Sequence, residues 1–306
     1  MRSRLIILSR NAGLYSTNRL ELAARARGIN VRVVDYLRCT LVVGADGPQV
    51  HYMGAPIFAD IVLPRIGASQ TLFGTAVVRH FELAGTRSLN PALGISRSRD
   101  KITAMQHMAA HGIMMPWSAA GGSQKDNAPL IAGVGGAPVV VKLIEGTHGA
   151  GVVLADTDST ADAVISAMRA AGGQVLVQQF LEDAKGADIR AFVVADRVVG
   201  AMMRQASDGE FRANLHLGGS ARRVKLSDEE RDLAVRAAQA FGLGVAGVDL
   251  LRTNRGPVVL EINSSPGLEG IEQTTGIDIA DRIMEFVEHG TLDRYTATQD
   301  DPPTAD

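Results

Sequence analysis

Cysteine is almost absent from this chain: there is one, Cys39. A single thiol closes no internal disulfide and builds no cysteine-based zinc site. That scarcity fits a reducing compartment, so a cytoplasmic protein is expected. Aromatic residues make up only 4% of the chain and form no ladder, which argues against reading nucleic-acid bases by stacking. Net charge is −2, so no global field recruits a polyanion. The first apolar run, Leu5-Ile6-Ile7-Leu8, is short. A membrane-spanning helix needs about twenty apolar residues and a signal peptide a longer core, so no membrane partner is expected. Lysine is scarce as well, 5 of the 31 basic residues, the other 26 being arginine. Lys101, Lys125, Lys142, Lys185 and Lys225 are thus uncommon choices where arginine is the default. What remains is a chain of 306 residues, 46% apolar and 21% charged, which describes an ordinary globular protein of two or three domains.

Apolar patterning divides it. Arg4–Ser9 reads as a strand, and Thr17–Arg27 as a helix capped at Thr17 or Asn18 and stopped by Gly28. Strands follow at Val31–Tyr36 and Asp60–Ile66, then a helix over Thr71–Ala84. This rhythm predicts an α/β domain with mostly parallel strands over about residues 1–97. Ligands of such sheets bind beyond the carboxyl ends of strands, here Ser9-Arg10-Asn11 and Pro64-Arg65-Ile66-Gly67. After a helix at Ser98–Ala110, the rhythm changes. Val139–Glu145 and Val152–Ala155 are strands around a glycine-rich loop, followed by a helix at Ser159–Ala171 and a strand at Val175–Leu181. Asp188–Ala195 and Arg197–Met203 form a hairpin, as do Val245–Arg252 and Pro257–Asn263. Between the hairpins, Ser227 and Glu230 form a capping box for a helix to Phe241, and Ile277–His289 is a last amphipathic helix. Hairpins mixed with helices predict an α+β architecture with antiparallel sheets. The polar segment 291–306, with Pro302-Pro303, is expected to be disordered.

The second hairpin is the most informative feature. With its turn near Arg255, Asp249 lies opposite Glu261, and Asn263 shares their face because strand side chains alternate. Val248, Leu250, Leu260 and Ile262 then form the core face. Carboxylates facing each other at ~5 Å repel by about 3 kcal/mol at an effective dielectric of ~20. A divalent cation reverses that sign, and two carboxylates with an amide oxygen are hard ligands suited to Mg²⁺ or Mn²⁺. A solvated face near Arg252 or Arg255 accounts for the hairpin equally well. Gly146, Gly149 and Gly151 lie in the loop Glu145–Gly151, where bare backbone N–H groups can approach phosphate oxygens. A plain hairpin loop is the alternative. Lys142 interrupts the apolar run Val139–Ile144 and needs an anionic partner. Lys101, Arg190, and Arg212 with Asn214 are further donors, each weak alone. His107 and His111, four apart, lack an evident third ligand, and Cys39 reads as a small, partly buried side chain.

Taken together, these pieces resemble the ATP-grasp superfamily, and within it the RimK-type glutamate ligases. The segments that carry the resemblance are Ile7–Arg10, Leu14–Ser16, Pro64–Gly67, Arg99–Lys101, Val141–Thr147, Asp188–Arg190, Phe211-Arg212, Val245–Asp249, Asn254–Pro257 and Asn263–Ile271. The resemblance implies an α/β domain followed by an ATP-grasp fold over residues 98–290, split into antiparallel-sheet subdomains at 98–180 and 181–290. It implies that Lys101 and Lys142 contact ATP phosphates, under a loop including Gly146, Thr147, Gly149 and Gly151. Gln178, Gln179, Phe180 and Leu181 would form the adenine hinge, with Gln179 standing where relatives commonly carry an acid. Asp188 would contact the nucleoside, and Arg212, Ala213 and Asn214 the phosphates. Asp249, Glu261 and Asn263 would hold two Mg²⁺ or Mn²⁺ ions. The implied reaction phosphorylates a carboxylate, and an amine attacks the acyl phosphate, with Arg190 stabilising the charge. Its substrates would be L-glutamate and the C-terminal tail of a small-subunit ribosomal protein, in a chain whose relatives often form homotetramers. Arg10 and Arg65 are candidates for holding acidic substrate groups. Two alternatives stand: a sister ligase acting on a coenzyme or carrier protein, and a non-catalytic ATP-binding regulator.

Overall fold

The computed structural model describes residues 4–45, 47–123, 126–144, 151–184, 186–207, 210–213 and 218–290. Its first part comprises β1 (Arg4–Leu8), α1 (Tyr15–Ala26), β2 (Asn30–Val34), β3 (Cys39–Gly44), β4 (Gly47–Tyr52), β5 (Ala55–Pro56), β6 (Ile61–Pro64), α2 (Thr71–Leu83), β7 (Arg87–Ser88) and α3 (Ala92–Arg99). Strands β2-β1-β6-β7 form a parallel sheet in that order. Its central strand is apolar on both faces, as a sheet covered on both sides requires. Ile6 and Leu8 pack with Val77, Phe81 and Ile95, while Leu5 and Ile7 pack with Leu20 and Ala24. Helix α1 starts two residues before Thr17, with Leu14 at its cap and no side-chain cap bond, so neither Thr17 nor Asn18 caps it. Thr17 is buried and its hydroxyl meets the Ser9 hydroxyl at 2.8 Å instead. Strands β3-β4-β5 make a small antiparallel sheet that the sequence reading left without any element.

The second part begins with a break. The single helix expected over Ser98–Ala110 is two: α3 ends at Arg99, and Asp100 caps α4 (Lys101–Ala110) by accepting from the Ile102 and Thr103 amides at 2.9 and 3.0 Å. Aspartate favours that position because its carboxylate takes up orphan N–H groups. There follow β8 (Ser118–Ala120), α5 (Ala128–Ala132), β9 (Val139–Leu143), β10 (Val152–Ala155), α6 (Asp158–Ala170) and β11 (Val175–Gln179), with the strands in an antiparallel sheet ordered β10-β9-β11-β8. The last sheet is antiparallel too, ordered β14-β13-β12-β15-β16. It comprises β12 (Ala187–Val194), β13 (Arg197–Gln205), β14 (Ser220–Arg223), β15 (Val245–Thr253) and β16 (Gly256–Asn263). Helix α7 (Asp228–Ala240) carries the expected Ser227/Glu230 capping box, and α8 (Glu269–Thr275) and α9 (Ile279–His289) close the fold.

The first and last sheets share one core. Leu5, Ile7 and Leu20 cluster with Phe192, Val194, Ile279 and Ile283. Asn90 staples the same seam: its buried side chain donates to the carbonyls of Val245 and Ser264 at 2.8 and 2.7 Å and accepts from the Val245 amide at 2.9 Å. Both strand ends of the carboxylate hairpin are thereby tied to the N-terminal sheet. Among the described residues, no helix is long and apolar enough to cross a membrane. Segment 291–306 lies outside the described residues.

Candidate active site

Register decides the hairpin. Asp249 pairs with Glu261 and Gly247 with Asn263, so the three oxygen-bearing side chains share one face of β15 and β16. A bulge between Asp249 and Leu250 changes the expected core face. Val259 is fully buried in place of Leu260, which is half-buried, because the slipped register turns the next residue inward. Asp249 is buried, Asn263 half-buried and Glu261 exposed.

The electrostatics of this face differ from the expectation. Asp249 is gripped by two arginines: Arg190 donates to its two oxygens at 2.5 and 2.6 Å, and Arg204 at 2.8 Å. Arg204 also forks onto Asp188 at 2.6 and 2.7 Å. The result is a buried chain, Arg190–Asp249–Arg204–Asp188. Burial alone would push Asp249 up, but the two guanidinium charges outweigh it and hold the carboxylate below its usual range. Asp188 moves the other way, raised by burial and by the charge of Asp249 against the pull of Arg204. Arg204 is not legible from the hairpin alone: it stands opposite Asp188 because a bulge between Phe192 and Val193 shifts the β12–β13 register by one residue.

These residues suit a hard divalent cation. A carboxylate offers about four lone-pair positions and an amide oxygen two. Asp249 has three engaged by arginine N–H groups, and Asn263 Oδ1 has one, from the Ser265 amide at 2.9 Å. Glu261 has no hydrogen bond or ion pair among the described residues.

Across from Glu261 stand the two scarce lysines. The Lys101 ammonium donates to the Ile144 carbonyl at 2.8 Å, and Lys142 donates to Gln178 Oε1 at 2.6 Å. Gln178 is oriented in turn by its donation to the Ser118 hydroxyl at 2.9 Å. Burial pushes Lys142 down to about 8; Glu261 opposes that shift and the charge of Lys101 adds to it. Lys101 is likewise lowered by burial and supported by Glu261. Three groups from separate sheets and a helix thus share one electrostatic environment. Beside them, β11 ends in Gln179, whose amide donates to the Trp117 carbonyl at 2.8 Å, while the Phe180 amide donates to Pro138 and Leu181 O accepts from Ala184. Phe180 meets Phe211 edge-on at 6.3 Å, which brings Arg212 and the buried Ala213 near the hinge. The Arg212 guanidinium is held by Glu210 at 2.9 and 2.6 Å. Gly151 has φ +74°, and a Cβ there would lie 2.5 Å from Leu143, so glycine is required where the loop rejoins β10. Gly146, Thr147, Gly149 and Asn214 lie outside the described residues.

Comparison with known proteins supplies the family. A RimK pre-ATP-grasp domain matches residues 3–95 and a RimK-like ATP-grasp domain matches residues 98–287. The chain belongs to the RimK-like ATP-grasp family. Two relatives named "Probable alpha-L-glutamate ligase", from Hydrogenovibrio crunogenus and Vibrio cholerae, are both 52% identical; they cover 97% and 96% of this chain and 99% and 98% of their own lengths. The fold is also that of the solved ATP-grasp ligase PsnB in complex with a minimal precursor, at a TM-score of 0.74 and 23% identity over 95% of this chain and 99% of that one. A further PsnB structure, with Mg and ADP, superposes at a TM-score of 0.71 with 23% identity over 93% of this chain and 97% of that one. The RimK-type resemblance, the ATP-grasp fold and the ligase class expected from the sequence are borne out.

In this RimK-like ligase the remaining candidates fall at the sheet junction or away from it. Arg10 is exposed at the end of β1. The Arg65 guanidinium, at the end of β6, donates to the Pro266 carbonyl at 2.7 Å. Arg99, unweighed in the sequence, lies behind it, donating to Ile66 O, to Gly67 O at 2.8 Å and to the Ser265 hydroxyl at 3.4 Å. His107 Nε2 meets the Ala240 carbonyl at 2.7 Å and His111 Nδ1 the His107 carbonyl at 2.8 Å. Burial pushes the Cys39 thiol up to about 11, far from a nucleophile's range.

Proposed function

We propose that this ligase adds L-glutamate to the C-terminal glutamate of a small-subunit ribosomal protein, using ATP. The single observation that carries the site assignment is that Lys101 and Lys142 both lie within electrostatic range of Glu261, beside the Asp249–Asn263 face. Two cations beside a set of hard oxygen donors suit a nucleoside triphosphate with its divalent counter-ions. The relatives' name supports glutamate as the added amino acid.

Lys101 and Lys142 would bind and orient the phosphates, and the backbone of Gln178, Gln179, Phe180 and Leu181 would face adenine. Asp188 would orient the nucleoside, with Arg212, Ala213 and Asn214 at the phosphates and Gly151 in the loop, with Gly146, Thr147 and Gly149, that covers them. Asp249, Glu261 and Asn263 would hold Mg²⁺ or Mn²⁺, which when bound neutralises charge on the phosphates. The acceptor carboxylate takes the γ-phosphoryl group and ADP is released. The glutamate amine then attacks the acyl carbon, phosphate leaves, and the amine gives up its proton. Arg190 would stabilise the negative charge that develops on the acyl oxygens; its grip on Asp249 keeps the guanidinium oriented until then. The deciding assay measures ADP release with glutamate and a peptide ending in glutamate, against coenzyme and carrier-protein acceptors. Glu261→Ala should abolish ADP formation with the fold intact, since Glu261 is exposed and supports no packing. Wild-type turnover in that variant would refute the metal assignment.

A further inference from the structure

A pocket of about 320 Å³ opens where the carboxyl ends of β1 and β6 meet the segment that follows Asn263. Its polar lining includes Ser9, Tyr15, Ser16, Arg65, Ser265 and Glu269. That volume is at the low end of small-molecule sites, roughly 300–1,000 Å³, and suits one amino acid better than a peptide. It adjoins the proposed metal face through a single residue, because the Ser265 amide donates to Asn263 Oδ1 at 2.9 Å.

The charges of this pocket are unbalanced. Arg99 is close enough to disfavour the charge on Arg65, and neither has a carboxylate partner among the described residues. Burial, with Arg99 adding to it, brings Arg65 down to about 10. A buried guanidinium without an acid calls for an anionic partner, and on the pocket lining that guanidinium is Arg65. Arg99 spends its donors on Ile66, Gly67, Thr71 and Ser265, so it fixes the loop that carries Arg65 and leaves Arg65 to face the ligand. On the other side, Glu269 is exposed, has no hydrogen bond or ion pair among the described residues, and lies near enough to Tyr15 for its charge to act on the phenol.

We infer that this pocket is the subsite for the free amino acid, whose α-carboxylate pairs with Arg65 and whose α-ammonium pairs with Glu269. The inference rests on the ligase reading above and names which of its two substrates sits here. A peptide C-terminus carries a carboxylate but no neighbouring ammonium, so Glu269 would repel it. Arg65 and Glu269 on the lining match the two charges of an α-amino acid, and Arg99 behind the wall adds a positive field that favours an acidic side chain. Arg65 and Glu269 are binding residues in this assignment, and Arg99 is a positioning residue.

The test uses the full chain with Mg²⁺ and a non-hydrolysable ATP analogue, and titrates L-glutamate by calorimetry. Wild type should bind glutamate more tightly than 2-hydroxyglutarate, which replaces the ammonium with a hydroxyl. Arg65→Gln should weaken both ligands by about tenfold or more, and Arg65→Lys by less. Glu269→Gln should erase the preference between the two ligands while leaving thermal unfolding unchanged. In ADP-release kinetics, both variants should raise KM for glutamate and leave KM for ATP within about twofold. Absence of glutamate binding to wild type overturns the inference. So does a preference for glutamate that survives Glu269→Gln, or a KM effect confined to the peptide acceptor. Glutamate binding without any glutamate-dependent ADP release would leave the pocket assigned and sink the ligase reading instead.

Discussion

Arg204 offers the sharpest test of how the site is held together. Replacing it with methionine keeps much of the stem's volume and removes three charge-assisted hydrogen bonds, two to Asp188 and one to Asp249. Asp249 keeps both bonds from Arg190, so the loss concentrates on Asp188, a buried carboxylate with no other hydrogen-bond partner among the described residues. Stripping one partner from a buried ion pair costs about 3–5 kcal/mol, a large share of a total stability of about 5–15 kcal/mol. The pH dependence follows from the remaining influences on Asp188. Burial and the charge of Asp249 both raise it, and the largest opposing group is gone. A carboxyl whose folded value exceeds its unfolded value of about 3.9 loses stability as pH rises between the two. The deficit of Arg204→Met should therefore be greatest at neutral pH and shrink as the pH is lowered, the direction in which Asp188 takes up its proton. Guanidinium unfolding followed by far-ultraviolet circular dichroism at pH 4.5 and 7.5 measures it. Adding Asp188→Asn should recover part of the loss at pH 7.5. A deficit under about 1 kcal/mol at pH 7.5, or one that is the same at both pH values, would refute the reasoning.

Lys142 makes the opposite trade. Its folded value of about 8 lies below the unfolded value of about 10.4, so the folded state carries an ammonium it would rather shed below pH 8, and that strain is relieved as pH rises through 8 to 10.4. Lys142→Met should thus be more stable than wild type at pH 7 by about 1–3 kcal/mol while losing ATP turnover, with the stability gap closing by about pH 10.4. Gly247 supports the site from beneath: a Cβ there would lie 2.9 Å from Pro266 Cβ and 3.2 Å from Arg190 Cδ. Gly247→Ala should cost about 1–3 kcal/mol in denaturant unfolding and slow ADP release by about tenfold or more by displacing Arg190.

The parts of this protein legible from sequence are those whose partners are close in sequence. The opposition of Asp249 and Glu261 follows from a turn placed near Arg255 and the two-residue period of a strand; the register reproduces it, but through the bulge at Asp249/Leu250, since the turn itself pairs Thr253 with Gly256. Counting back from the turn of the first hairpin puts Met203 opposite Asp188; a bulge between Phe192 and Val193 shifts the register by one and brings Arg204 there instead, and a chain with 26 arginines gives each one little weight. Leu260 was misassigned to the core because a bulge leaves no mark in the apolar pattern. The three-stranded sheet over residues 39–56 escaped notice because Gly44, Gly47 and Gly54 cut it into short pieces and its apolar residues Val43 and Met53 are exposed. Asp100 splits what looked like one helix, a choice visible only once the cap bonds are seen. The pocket at the sheet junction was the least legible. Arg65 meets Pro266 across 201 residues of sequence, and that contact depends on how the first sheet docks against the last. Arg10 and Arg65 looked alike from sequence, both at strand ends; docking half-buries one and leaves the other exposed.

Charge bookkeeping across the cleft leads to a last prediction. Opposed carboxylates at Asp249 and Glu261 do not by themselves demand a cation, because Arg190 and Arg204 already neutralise the buried partner. Asp188, Asp249 and Glu261 against Arg190, Arg204, Lys101 and Lys142 leave the cleft at +1 when all seven are ionised. A bare nucleoside triphosphate brings about four negative charges and would overshoot that balance, pressing against Glu261. Divalent ions alone would add positive charge beside two lysines that burial already disfavours in their charged form. The two together are nearly neutral, so each should strengthen the binding of the other, and by linkage the factor must be the same in both directions. Calorimetry of ATP binding in excess chelator and in excess Mg²⁺ measures one side; Mg²⁺ titration with and without the nucleotide measures the other. The expected coupling is about tenfold or more, beyond the affinity of the two for each other in free solution. Equal ATP affinity with and without the cation would mean that the face formed by Asp249, Glu261 and Asn263 is not where the nucleotide's counter-ions sit.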